Sequence, residues 1–140
     1  MEDFATQEIA VKLKEKGFSE KCLYHYFDNK FVANTCKSDN DNITTEDLLM
    51  SCNYLVSQFD TLDSNVAVSD APTISQVLKW LRETKNIEVV ASFSYGNKVW
   101  GYQVGDMTLL EDSILSYDYS FPTYEEAVLA GIEYVLDNLI

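Results

Sequence analysis

Apolar positions along the chain switch between helical and strand spacing several times, and each switch predicts an element. Ile9, Ala10 and Leu13 fall on one helical stripe, with Thr6 as N-cap and Gly17 as a left-handed stop. Phe18 is then placed to pack back beneath the helix. Leu23–Phe27 and Phe31–Ala33 flank Asp28-Asn29-Lys30, a pattern for a short hairpin rich in aromatic side chains. Lys37 to Asn42 is polar and reads as a loop. Leu48, Leu49, Cys52, Leu55, Val56 and Phe59 return to three-four spacing, with Thr44 and Asp47 resembling a capping box. The stretch Asp60 to Asp70 is polar and reads as a connector.

The second half is patterned more sharply. Thr73 and Gln76 form a capping box ahead of the stripe Ile74, Val77, Leu78 and Leu81. Pro72 limits backward extension of this helix, and Trp80 lies beside the stripe as a core edge. Ile87–Tyr95 and Lys98–Val104 flank Gly96-Asn97, which suits a two-residue type II′ turn. That turn pairs Tyr95 with Lys98, Phe93 with Trp100, Ala91 with Tyr102 and Val89 with Val104. The last three pairs put apolar groups on one face. Ser94 with Val99, Ser92 with Gly101 and Val90 with Gln103 make the other face mostly wet. Leu109–Leu110 and Ile114–Phe121 predict one or two further strands, with Tyr117, Tyr119 and Phe121 on one side. Thr123 and Glu126 open a last helix whose Val128, Ile132, Val135, Leu136 and Leu139 face inward. The order predicts an α+β fold of antiparallel hairpins with about four helices packed on one face, a single domain over 1–140.

Composition narrows the function classes. The chain has 140 residues, 46% hydrophobic and 24% charged, enough to bury a core without disulfides or metal. It lacks the ~18–20 apolar residues of a bilayer span. The acidic opening Met1-Glu2-Asp3-Phe4 is unlike a signal peptide, so the expected location is cytoplasmic. Ten Lys+Arg against 23 Asp+Glu give a net charge of -13, which argues against direct contact with nucleic acid or anionic membrane. No base lies between Lys37 and Lys79, nor after Lys98, where eight acids follow. Such clustering either keeps the surface solvated or presents an acidic face to a basic partner.

Cys22, Cys36 and Cys52 read as free buried thiols. Cys22 and His25 have zinc-ligand spacing, but no second close pair joins them, so no metal or other cofactor is expected. Ser-His-Asp catalysis has only His25 to draw on, and no phosphate-binding glycine loop occurs. Asp39-Asn40-Asp41-Asn42 begins like a calcium loop, yet Ile43, Thr44 and Met50 occupy places that need ligands or a turn glycine. Glu125-Glu126 answers a helix macrodipole.

Three segments carry a resemblance: Ala10–Phe18, Ala71–Glu83 and Thr123–Ile132. They are similar to the "KLKELGF", "APTYQQVLDWLRE" and "SYEEALEAGI" helices of small proteins borne by phages and integrated mobile elements of gut bacteria of the Bacteroides group. Asn40–Asp70 is longer than that pattern. The resemblance implies mobile-element origin, and it brings no activity and no site residue with it. The expected function is therefore a non-enzymatic protein–protein interaction, with Tyr95, Tyr117 and Tyr119 as exposed contacts drawn from nine tyrosines. Alternatives are an acidic nucleic-acid mimic that blocks a host DNA-binding or restriction protein, or a small enzyme built around His25. Oligomeric state is open, and an unpaired strand edge would support a dimer.

Overall fold

A computed structural model describes residues 4–20, 22, 24–27, 30–33 and 68–140. They fall into two compact units, within Phe4–Pro72 and within Thr73–Ile140.

In the first unit, helix α1 (Gln7–Glu15) starts where Thr6 Oγ1 accepts the Ile9 amide at 3.3 Å. It stops at Gly17, whose φ of 91° lets the Phe18 amide reach the Leu13 carbonyl at 3.0 Å. Ile9, Ala10, Leu13 and Phe18 are buried, as the stripe predicts. Strands β1 (Tyr24–Phe27) and β2 (Lys30–Ala33) form the expected hairpin, with β2 opening at Lys30 opposite Phe27 rather than at Phe31. Strand β3 (Val68–Asp70) adds to the other edge of β1, so the end of the expected connector is a strand. Three residues are too few to display alternation, and β3 is defined by a partner distant in sequence. Tyr24, Tyr26 and Phe31 share one face of this sheet. The Tyr24 and Phe31 rings stack at 4.8 Å, and Phe4 meets both edge-on.

In the second unit, helix α2 (Ile74–Lys85) carries the full capping box. Thr73 Oγ1 accepts the Gln76 amide at 3.2 Å and Gln76 Oε1 accepts the Thr73 amide at 3.0 Å. Trp80 joins Ile74, Val77 and Leu81 in the buried stripe, while Leu78 is half-buried. Asn86, left-handed at φ 56°, ends the helix and β4 (Ile87–Ser94) begins at once. Its pairing with β5 (Val99–Asp106) follows the expected register from Ser94–Val99 to Val89–Val104. The turn differs. It takes four residues, Tyr95–Lys98, closed by the Lys98 amide on the Ser94 carbonyl at 2.8 Å, and Lys98 rather than Gly96 has positive φ. Both loops are centred on Gly96-Asn97, so opening the Tyr95–Lys98 pair leaves every other pair in place.

Strand β6 (Ile114–Phe121) completes the order β4-β5-β6; Leu109–Leu110 contributes no strand. Its register with β5 shifts twice, near Leu115 and across Tyr119–Ser120. The second bulge corrects the expected shared side. Tyr117 pairs with Gln103 and Phe121 pairs with Trp100, so Phe121 turns toward the helices while Tyr117 and Tyr119 face away. Helix α3 (Tyr124–Asn138) starts at Thr123, whose Oγ1 accepts the Glu126 amide at 3.2 Å. Ala127, Val128, Gly131, Ile132, Val135 and Leu136 meet Ile87, Val89, Tyr102 and Val104 across the core. A Cβ on Gly131 would stand 2.7 Å from Val89 Cγ1 and 3.1 Å from Tyr102 Cγ, so only glycine lets this helix sit so close. Leu139, at the frayed end, is half-buried.

The fold is α+β, as expected. Its helices are not all on one face: α1 packs with β3 in the first unit, and α2 and α3 pack with the β4–β6 sheet in the second. The expected helix over Thr44–Phe59, the Lys37–Asn42 loop, Cys36 and Cys52 lie outside the described residues.

Candidate interaction surface

Helices cover one side of the β4–β6 sheet, and its other side forms the candidate surface. Strand alternation brings Val90, Ser92, Gln103, Tyr117 and Tyr119 there, an uncharged group with Glu88 beyond it on β4. Tyr117 is 70% exposed, and Val90, Ile114 and Leu115 are also open. Gly101 determines how Tyr119 lies. A Cβ at Gly101 would run into Tyr119 Cγ and Cδ1 and stand 2.6 Å from the Asp118 carbonyl, so the ring rests directly on bare backbone. Its hydroxyl shares a hydrogen bond with Ser92 Oγ at 3.0 Å and accepts one from Gln103 Nε2 at 3.2 Å. These bonds pin the ring to β5, its neighbour, and across it to β4. A shallow hollow beside it is lined by Gln103, Ile114, Leu115, Ser116, Tyr117 and Tyr119.

The three tyrosines proposed from sequence therefore separate. Tyr117 and Tyr119 are together on the open face. Tyr95 is 77% exposed at the hairpin tip, but its ring abuts Phe93 at 5.2 Å, and Phe93 belongs to the helix side with Trp100. Phe93 and Trp100 are only half-buried, with Tyr124 edge-on to Trp100 at 5.5 Å, whereas Tyr102 is buried. Sequence reading placed Gly101, Gln103 and Val90 on one face, as the register has them, but took that face as mostly wet and gave it no part in binding. The signal was there in Gly101, because a glycine inside a strand marks a close approach.

Charge is uneven along this sheet. At one end lie Glu88, Asp106, Glu111 and Asp112; at the hairpin end lies Lys98. Glu88 meets Arg82 at 3.9 Å. Thr108 donates its hydroxyl and its amide to Asp106 Oδ1, at 2.6 and 2.8 Å, and these bonds hold the Asp106 carboxyl below its ordinary pKa. Met107, Leu109 and Leu110 are exposed in the same connection.

His25, the candidate for acid–base chemistry, is buried in the first unit opposite Asp70 and Val32 in register. Cys22 is buried too, its thiol donating to the Glu20 carbonyl at 3.5 Å. Tyr26 donates to the Ala5 carbonyl at 2.7 Å, and burial raises its phenol pKa. Among the described residues no group of three or more His, Cys, Asp or Glu is placed to hold a metal ion. No helix among them is long and apolar enough to cross a membrane. Searches of protein-family models, curated proteins and solved structures find no match to this chain.

Proposed function

We propose that the protein is a non-enzymatic, cytoplasmic interaction protein of phage or mobile-element origin that grips a protein partner through the open face of the β4–β6 sheet. The origin rests on the resemblance of its three helical segments. The binding mode rests on one observation: an uncovered Tyr117 beside a pinned Tyr119 on the open face, in a chain of net charge -13. Tyrosine supplies contact area with little rotamer entropy to lose, and pinning lowers that cost further. A photo-crosslinking side chain placed at Tyr117 is expected to give a discrete protein adduct in host cells. The same group at Glu83, exposed on α2, is expected to give none. Equal labelling at both positions, or no adduct at 117, would overturn the reading.

A further inference from the structure

We infer that the free edge of β4 pairs with β4 of a second copy of this chain, antiparallel about a two-fold axis at Val90. This goes beyond the function proposed above and does not depend on what Tyr117 contacts. The β4–β6 sheet has two edges, and they differ. β6 is interrupted by two register shifts, whereas β4 runs against β5 without a break from Ile87–Asp106 to Ser94–Val99. β4 also lacks proline, and Glu88 is its only charged residue. Bulges, prolines and charges are the devices by which exposed edges refuse another strand, and β4 carries almost none of them.

Two bonds at the end of the sheet show which backbone groups of β4 face outward. Met107 donates its amide to the Asn86 carbonyl at 2.9 Å, in the position that continues the β4–β5 register one step past Ile87–Asp106. Asp106 turns the other way and donates its amide to the Ser113 carbonyl at 2.8 Å. Bonded and non-bonded pairs alternate along an antiparallel ladder, so Glu88, Val90, Ser92 and Ser94 aim their amides and carbonyls at β5. Ile87, Val89, Ala91 and Phe93 aim theirs out of the sheet, where no other described strand meets them.

The centre of these four residues is Val90, the large hydrophobic side chain of β4 that stays exposed, at 48%. A two-fold axis there pairs Ile87 with Phe93, and Val89 with Ala91, of the second copy. Every outward group then gains a partner, about eight ladder bonds in all. On the open face one Val90 lies directly against the other, a cross-strand pair of β-branched side chains. On the helix side the added strand covers Ala91 and Phe93, which the helices leave half-buried. A net charge of -13 on each chain opposes association, but little of that opposition falls at the seam. Each Glu88 meets Ser92 of the second copy and has its own Arg82 at 3.9 Å. The two Glu88 positions stand about 13 Å apart along the strands, beyond the ~8 Å screening length at physiological salt. A foreign strand would fill the same ladder, but only a second copy makes Val90 face itself.

The test is sedimentation and light scattering of the full chain from about 1 µM to about 1 mM. A seam from Ile87 to Phe93 is small against the roughly 20–30 residues a side of a standard interface, so the expected dimer is weak and concentration-dependent. It is expected to tighten as salt screens the like net charges. Val90→Lys and Val90→Glu each set like charges across the axis, and each is expected to weaken the dimer about tenfold without lowering the thermal midpoint of the monomer. Mixing the two variants is expected to restore it, because unlike charges then meet at the axis. Such recovery belongs only to a residue that faces its own copy. Tyr117→Ser is expected to leave the dimer unchanged. A chain that stays monomeric throughout the range overturns the inference. So does a dimer that Val90→Lys leaves intact, one that Tyr117→Ser dissolves, or a pair of weakened variants that mixing does not restore.

Discussion

The two faces of the β4–β6 sheet are built from the same strands with the same alternation, yet they end in opposite states. On the helix side, Gly131 lets α3 close onto Val89 and Tyr102, and the apolar groups disappear from water. On the open side, Gly101 lets a single ring close onto the backbone, and Val90 and Tyr117 stay in solvent. Both faces use a missing Cβ to admit a close neighbour. The difference is what arrives: a whole helix on one side, one phenol held by two hydrogen bonds on the other. Stability is thus concentrated on the first face, and the second is left available for contact.

Substitutions should separate the two faces by size of effect. The largest belongs to Ile132, fully buried on α3: Ile132→Ala is expected to cost about 2–5 kcal/mol in urea unfolding, against about 0.5 kcal/mol or less for Tyr117→Ser. A similar loss at both would erase the distinction. Next come the glycines. Gly131→Ala and Gly101→Ala should each destabilise by about 1–3 kcal/mol through overpacking. Only the second should change the near-ultraviolet dichroism of Tyr119 by displacing its ring. At the hairpin joining both faces, Lys98 has φ 57°, so Lys98→Gly should raise stability by about 0.5–1 kcal/mol, read as a shift in denaturation midpoint.

The smallest effect is at the acidic end. The Asp106 carboxyl is held low by Thr108, so its contribution is present above the ordinary carboxylate pKa and is lost as pH falls through the lowered value. Thr108→Val should move the Asp106 titration upward, toward the ordinary value, in carboxyl-carbon NMR. An unmoved titration would remove the hydrogen-bond explanation.

What could be read in advance followed from local chemistry. Thr6, Gly17, Thr73 with Gln76, and Thr123 announced helix ends because caps act within four residues. The β4–β5 register was readable because one slip would have put Val89, Ala91 and Phe93 in water. It survived a wrong turn type because Gly96-Asn97 is the midpoint of either loop. Features that depend on distant partners were not readable. β3 exists only as a partner of β1. The bulge that turns Phe121 away from Tyr119 lies opposite Gly101 on another strand, and Tyr95 was grouped with tyrosines that lie on the opposite side of its sheet. The open face looked wet because Ser92 and Gln103 are polar; that both tie down Tyr119 needed three strands to be seen together.

The two irregularities in β6 have a consequence for the molecule in a crowded solution. β6 is an end strand, and a rim of regularly spaced amides and carbonyls would invite other chains to add on at ~4.8 Å intervals. Bulged near Leu115 and again across Tyr119–Ser120, the strand offers no long even run for such growth. The kink that aims Phe121 inward thus also makes β6 a poor template for fibre growth.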